Sequence, residues 1–555
     1  MNTPLDQATF NIVSHGLHAI AQEMGEKLVR AAYSTIIREA RDCSTALLDP
    51  DGRIVAQAQF CPIHMNSFGK VFEAFAHRLD LSRIKPHEAL ITNDPYSGAQ
   101  HLNDIILFTP IFYEGSLIAF SASLGHHIDI GGGAAGPNAR ALDIYSEGLR
   151  IPPLKFNVDR DFGAGMLEQF IRINVRAPDQ VMGDLRAQLA ANRTGEARFI
   201  EMAGRFGAAT VIQAAKQLQD YSERLTREAI TAIPDGIYTA EDFVDDNGFT
   251  SDPLRVSVQV TVSADTLSVD LAGSAAQTKG IINCPVASTI SAVYGALALL
   301  LGGGSIPVND GLYRPIRDVR VPHGSFLNPD QPVAVRARNS ACHRVYNAIM
   351  LAMAPAAPDS VITSGHDTTN AIGMGHMGSD GYRVYMEVVG GGWGASAGAD
   401  GADVVDGYVG NCSNIPVESL EQDYPFMRIE EYAIRRGSAG AGEHRGGLGA
   451  RRTYRILCDD VAFNCYSDRF RIAPWGLFGG HPGTPTRFQI ERGGETITLD
   501  SKVNAPLQKD DLLIIETAGG GGYGDPRKRD RQLLAKDLRE GLLNSGQASV
   551  YDDPR

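Results

Sequence analysis

The chain has 555 residues, 43% hydrophobic and 21% charged, with a formal net charge of −14. That length is too great for one hydrophobic core and predicts roughly two to four domains of about 100–200 residues. The composition excludes a disordered chain, and the acidic balance argues against a nucleic-acid binder, which needs a basic surface to neutralise phosphates.

The acidity is spread along the chain rather than gathered in a tail, which predicts a soluble protein. Cys43, Cys61, Cys284, Cys342, Cys412, Cys458 and Cys465 form no C-x-x-C pair. An odd, scattered set predicts free thiols in a reducing compartment, hence a cytoplasmic location. The opening "MNTPLDQATFNIVSHGL" has neither the basic nor the apolar region of a signal peptide. No apolar run approaches the ~18 residues of a membrane span. The longest, "AVYGALALLLGGG", breaks at glycine and reads as a buried helix.

In chain order, residues 4–38 carry Phe10, Val13, Leu17, Ile20, Met24 and Leu28 at helical spacing. Thr3 is the expected cap, with Pro4 at the first helical position, where its missing N–H costs nothing. A strand-rich block follows over 44–130. It holds a hairpin around the Asp-Pro-Asp-Gly of "STALLDPDGRIVAQ", then the strands "EALITND", "IILFTPIFY" and "SLIAFSASLG". Residues 162–231 read as helix again, and 236–275 as strands. Helices and glycine-rich loops mix over 276–425. The region 426–525 is mostly β, and the last 30 residues form a charged helix and tail. The predicted fold class is a multidomain α+β protein, with long N-terminal helices, a mixed sheet carrying a metal site, and a β-rich C-terminal region. The expected divisions are 1–235, 236–425, 426–525 and 526–555.

The stretch "DPYSGAQHLND" (94–104) raises the question of a metal site. With a two-residue turn at Glu114-Gly115, Tyr113 pairs with Ser116 and every opposed pair sums to 229. Gly125 then faces Asp104 and His126 faces Asn103. The hairpin closes His101-Leu-Asn-Asp104 onto His126-His127-Ile-Asp129, two H-x-x-D runs whose cross-strand Cβ atoms lie about 5 Å apart. Two histidines and a carboxylate suit a hydrolytic Zn²⁺ or Mn²⁺ with an open position for water. Strand alternation places His127 on the face of Asp104, unless the strand ends at Gly125. A polar turn with capping aspartates needs no metal, so spacing alone leaves both readings open.

The segments "NDPYSGAQHLND", "GHHIDIGG" and "EGLRIPP" resemble the hydantoinase B family. These are the B-type subunits of ATP-dependent hydantoinases, 5-oxoprolinases and lactamases, related to acetone and acetophenone carboxylase subunits. The resemblance continues through "NVRAPDQVMGDLRAQLAANRTGE", "VNDGLYRPI", "NIPVESLEQDYP", "GSAGAGEHRGGLG", "SDRFRIAPWGLFGG" and "AGGGGYGDP", covering about residues 5–530. It implies a metal held by Asp42, His101, Asp104 and His126, and so prefers His126 to His127. Asp129 becomes a candidate partner that orients an imidazole. His127 and Asp129 are the candidate catalytic residues. Asp94 and Tyr96 line the turn, or simply build it.

Other motifs point elsewhere. "GGGGYGDP" lacks the Gly-Lys-Ser/Thr of a P-loop, and "VVGGGWGAS" alone is weak ground for a nucleotide. His343 and His366 read as structural histidines, "HRGG" (444–447) as a turn, and Ser364 lacks a nucleophile elbow. The resemblance therefore implies that ATP is bound by a separate A-type subunit, in a hetero-oligomer with more than one copy of each. The expected activity is hydrolysis of a cyclic amide (hydantoin, 5-oxoproline or lactam). Two alternatives remain at this point: a ketone carboxylase subunit using bicarbonate, and a scaffold whose partner does the catalysis.

Overall fold

The fold is taken from a computed structural model, which describes residues 4–552 apart from 59, 65, 66, 303, 380 and 544. The first sheet holds β1 (Cys43–Leu48), β2 (Ile54–Ala58), β3 (Glu88–Thr92), β4 (Asp104–Tyr113), β5 (Ser116–His126) and β6 (Leu154–Asn157) in the order β2-β1-β5-β4-β3-β6. Every neighbouring pair is antiparallel. The mixed sheet expected here is thus corrected: short connections join β1 to β2 and β4 to β5, and so short a link can only reverse the chain.

Both faces of this sheet are covered, which is why its strands are apolar almost throughout. Along β4, Ile105 and Leu107 point to one face and meet Val181, Met182, Leu185 and Leu189 of the Pro178–Phe206 helix. Ile106 and Phe108 point to the other, with Phe120, Ala122 and Leu124 of β5. There the Ser67–Arg78 helix contributes Phe68, Phe72 and Phe75, whose rings meet Phe108 edge-on at 5.6–6.2 Å. Each such ring stabilises the fold by roughly 1.5–3 kcal/mol through burial.

The first helix runs Gln7–Ala31, and a separate turn follows at Thr35–Arg38. Its cap is Asp6, whose carboxylate accepts the Thr9 N–H. The expected cap, Thr3, lies outside the described residues, and Pro4 precedes the helix rather than opening it. Residues 162–231 divide into Met166–Asn174, Pro178–Phe206 and Ala208–Thr231, the last two parted by Gly207 at φ 84°.

The mixed sheet is the second one, β7 (Gly236–Val244), β8 (Leu254–Ser263), β9 (Thr266–Asp270) and β10 (Ile316–Arg320), with β10 parallel to β9. Two helices lie in the core beside it, Val286–Gly302 between β9 and β10 and Arg338–Met353 after β10. β11 (Ala371–Gly378), β12 (Gly381–Val388), β13 (Met427–Arg435), β14 (Gly449–Ile456), β15 (Val461–Tyr466), β16 (Arg487–Arg492), β17 (Glu495–Thr498), β18 (Lys502–Leu507) and β19 (Leu512–Glu516) form two antiparallel sheets, β12-β11-β15-β18 and β13-β14-β19-β16-β17. One buried apolar cluster draws residues from Val13 to Ile515.

The glycine-rich runs meet in the interior. Gly447 donates to Trp393 O at 2.7 Å, Gly520 to Gly447 O at 2.9 Å, and Gly521 to Ser364 O at 2.8 Å. A Cβ on Gly520 would stand 1.8 Å from Trp393 O, and one on Gly446 1.9 Å from Gly520 O. Glycine is needed in these runs for backbone-to-backbone packing, which accounts for "GGGGYGDP" without a phosphate.

Among the described residues no helix is long and apolar enough to cross a membrane. None of the seven cysteines is in a disulfide.

Candidate metal centre

The β4–β5 hairpin starts as the spacing predicts. Tyr113 faces Ser116 and Phe112 faces Leu117, around Glu114 and Gly115 at φ 49° and 80°. Then the register shifts between Phe112 and Ile111. Ile111 faces Ala119, and Ile118 becomes the extra residue of a bulge. Pro110, which cannot donate to a ladder, stands next to the shift. Beyond it Asp104 faces His126, not Gly125. The expected sum of 229 therefore holds only at the tip, and the expected pairing of His126 with Asn103 is corrected. Asn103 pairs with His127 through two bonds, its side-chain N to His127 O at 2.7 Å and His127 N to its own carbonyl at 2.8 Å.

That one-residue shift decides which side chains meet, because opposed residues share a face. Asp104 and His126 point to the side of the Ser67–Arg78 helix. His127 points to the opposite side, where its Nε2 lies 3.0 Å from Gln188 Oε1 on the Pro178–Phe206 helix. Cys43 of β1 faces Gly125 of β5, and one step further His126 N donates to Asp42 O at 3.1 Å. Asp42, His126 and Asp104 thus form a row across three adjacent strands. His101 joins from the turn before β4, where Asp104 N donates to His101 O at 3.1 Å.

The ligand atoms of His101, Asp104 and His126 lie within 4.8 Å of one another, and all three side chains are buried. The two imidazole rings are 5.0 Å apart. Asp42 belongs to an adjoining group with Cys61 and His64, equally compact. His64 joins the two, its Nε2 standing 3.9 Å from Asp42 and 4.0 Å from Asp104. Ser44 Oγ lies 3.0 Å from its Nδ1. Asp42, Cys61, His64, His101, His126 and Arg338 line one internal cavity of about 20 Å³, room for one water or one ion.

Cys61, His64 and Arg338 enter the site from outside the motifs read in the sequence. Cys61-Pro-Ile-His64 has ligand-like spacing that would have flagged the first two. Arg338, whose guanidinium donates to Asp104 Oδ2 at 2.8 Å, left no local signal, being 234 residues away.

Burial and neighbours set different protonation states on the imidazoles. Burial, with the Arg338 cation beside it, pushes His101 down to about 3. Burial and then His101 hold His126 well below its usual value. Burial alone would raise Asp104, but His101 and Arg338 overrule it and keep the carboxyl well below the usual range. Burial likewise disfavours charge on His64, yet Cys61, Asp104 and Asp42 raise it to about 9. Burial would raise the Cys61 thiol, whereas hydrogen bonding with Cys412 and the charge of His64 bring it down to about 5.

These residues fit a divalent metal. His101 Nδ1 lies 2.8 Å from Asp104 Oδ2, yet Nδ1 of His101, Nδ1 of His126 and Oδ1 of Asp104 are buried with no hydrogen-bond partner. Neutral imidazoles beside an ionised carboxylate are a donor set for Zn²⁺ or Mn²⁺.

The remaining candidates stand outside these ligand groups. Asp129 turns its carboxylate to the backbone N–H groups of Gly131, Arg176 and Ala177, just before the Pro178–Phe206 helix. Asp94 pairs with Arg150 at 2.7 and 2.9 Å and caps Tyr96 N, while Tyr96 Oη donates to Val333 O at 2.6 Å. His366 is held at both ring nitrogens, by Asn370 and by Ala518 N. Both ring nitrogens of His343 lack a partner, and its ring packs on Gly407.

Fold and site together define a large chain of mixed α and β structure with a buried carboxylate–imidazole cavity, and comparison gives the class a family. The family described as hydantoinase B/oxoprolinase matches residues 6–526. The chain belongs to that family. A protein of Pseudomonas sp. (strain NS671), provisionally named as the B component of a D-/L-hydantoinase, is 34% identical over 98% of this chain and 94% of its own. The 5-oxoprolinase of Dictyostelium discoideum is 29% identical over 94% of this chain but only 41% of its own length. Among solved structures, the ATP-dependent caprolactamase from Pseudomonas jessenii superposes with a TM-score of 0.91 at 28% identity, over 99% of this chain and 96% of that one. An acetone carboxylase in its nucleotide-free form shares the fold, with a TM-score of 0.89 at 21% identity over 98% of this chain and 79% of that one.

Proposed function

We propose that this chain is the metal-bearing B-type subunit of an ATP-dependent cyclic-amide hydrolase, opening a hydantoin, 5-oxoproline or lactam ring. The observation that carries the reading is the set of unpartnered, buried ligand atoms on His101, Asp104 and His126. The family supports the substrate class, since its relatives bear hydantoinase, oxoprolinase and caprolactamase names. ATP is held by an A-type partner, and the complex holds more than one copy of each chain in the cytoplasm.

In this reading His101, Asp104 and His126 hold the ion, with Asp42 completing the set across the sheet. A divalent Zn²⁺ or Mn²⁺ there supplies Lewis-acid polarisation of an oxygen or acidifies a water. Arg338 orients Asp104 through its 2.8 Å bond. His127 acts through position: its hydrogen bond to Gln188 holds the strand end that presents His126. Asp129 fixes the entry to the helix that carries Gln188.

The test is turnover by the chain co-expressed with its A-type partner, with ATP, against hydantoins, 5-oxoproline and lactams, with and without bicarbonate. Ring opening that needs ATP and metal and ignores bicarbonate is expected. Product formation only with bicarbonate and a ketone would overturn the hydrolase reading.

A further inference from the structure

Two cysteines, Cys61 and Cys412, line the metal cavity. Of the two, only Cys61 belongs to a compact ligand group among the described residues. Its Sγ, a carboxylate oxygen of Asp42 and a ring nitrogen of His64 lie within 4.8 Å of one another, and all three side chains are buried.

Local geometry presents the sulfur. Cys61 precedes the 3₁₀ turn Pro62–His64, and His64 N donates to Cys61 O at 3.1 Å. Residues three apart eclipse one another on such a turn, so Cys61 and His64 share a side. Two bonds fix the turn in place. Ile63 N donates to Val409 O at 2.8 Å, and Gln100, the neighbour of His101, donates from Nε2 to Ile63 O at 3.0 Å.

Asp42 connects this group to the first one. It stands in the row with His126 and Asp104, and it is a member of the Cys61 group as well. The cavity of about 20 Å³ is lined by Asp42, Cys61 and His64 on one side and by His101 and His126 on the other. A single ion fills that space, so both groups stand at its margin. A buried cysteine is commonly a small apolar filler. Cys61 instead has a carboxylate and an imidazole for neighbours, and its sulfur has only a weak contact at 3.7 Å with Val409 O.

We infer that Cys61 is a sulfur ligand of the ion in this cavity, and that the site therefore favours a thiolate-binding metal such as Zn²⁺ over Mn²⁺. Binding forms one metal–sulfur bond and releases the thiol proton to solvent. A soft sulfur donor adds affinity for Zn²⁺ or Co²⁺, whereas Mn²⁺ is served by oxygen donors. The inference rests on the proposed metal in this cavity and narrows which metal it is. It is independent of the substrate.

The test loads the full-length chain with Co²⁺ and with Zn²⁺. The cobalt protein is expected to show a near-ultraviolet sulfur-to-cobalt charge-transfer band, which Cys61→Ser loses and Cys412→Ser keeps. Cys61→Ser should also weaken Zn²⁺ binding about tenfold or more while changing Mn²⁺ binding less, so that the preference for Zn²⁺ shrinks. X-ray absorption of the zinc-loaded unmutated chain needs no variant to fold, and should show one sulfur at about 2.3 Å. A zinc shell of nitrogen and oxygen alone overturns the sulfur ligand and leaves the metal centre standing. A band lost in Cys412→Ser and kept in Cys61→Ser overturns it too, in favour of the other cysteine. A chain that takes up no metal overturns this inference and the proposed metal centre together. If the sulfur is found but the co-expressed complex opens no cyclic amide, the ligand stands and the proposed activity falls.

Discussion

His101 and His64 line the same cavity, are equally buried and both stand near Asp104, yet at neutral pH the first is neutral and the second charged. His101 faces the Arg338 cation, so burial wins and the ring stays neutral. His64 sits among Cys61, Asp104 and Asp42, so anions win and the ring holds its proton. The difference teaches that burial gives a histidine no fixed role, and that its nearest charges do. The neutral rings are ready to ligate a cation, whereas the charged one meets the acidic side of the cavity.

Four experiments break or sharpen this contrast, the first with the largest expected effect. His101→Ala or His126→Ala should remove the metal, measured by elemental analysis, and cut turnover of the co-expressed complex about a thousandfold. A variant that retains its metal and its activity would dismiss the neutral pair as ligands. Next, Arg338→Met strips the buried Asp104 carboxylate of its nearest cation, a loss of roughly 3–5 kcal/mol. Denaturant melts should show that loss in metal-free protein and a smaller one with metal present, because the ion replaces the missing cation.

His64→Ala is expected to weaken metal affinity by about ten- to a hundredfold, as removal of a group neighbouring the ligands does. It also carries a pH signature. His64 is raised from 6.5 to about 9 on folding, so its contribution is complete below 6.5 and fades as pH rises through about 9. Thermal melts of metal-free protein should show that alkaline decline, and the variant should lack it. An unchanged decline in the variant would place its cause elsewhere. The smallest effect belongs to His127→Ala, which should keep its metal and lose about 1–3 kcal/mol through the unpaired Gln188. Metal loss there with metal retained in His126→Ala would mean that the observed register is wrong.

The sequence made some of this legible for physical reasons. The turn at Glu114-Gly115 is visible because adjacent residues with positive φ constrain composition locally. The alternating strands and the 3.6-residue period of 162–231 are visible because each strand or helix buries its own face. The register was not legible. A bulge at Ile118 has no strong residue signature, and one extra residue exchanges His126 for His127 on the ligand face. Residue spacing left that choice open, and the family resemblance favoured the histidine that the bulge brings opposite Asp104.

By itself the sequence determined the local elements, the family and the ligand-rich H-x-x-D runs, since these are written in neighbouring residues. Tertiary structure alone decided that Asp42 stands in line with His126 and Asp104, that Cys61 and His64 complete the cavity, and that Arg338 lies against Asp104 from 234 positions away. Those neighbours are made by strand pairing and helix packing, which bring together side chains that no spacing relates. The charge on each buried imidazole is decided at the same level, because electrostatic energy depends on distance through space and on exclusion of water.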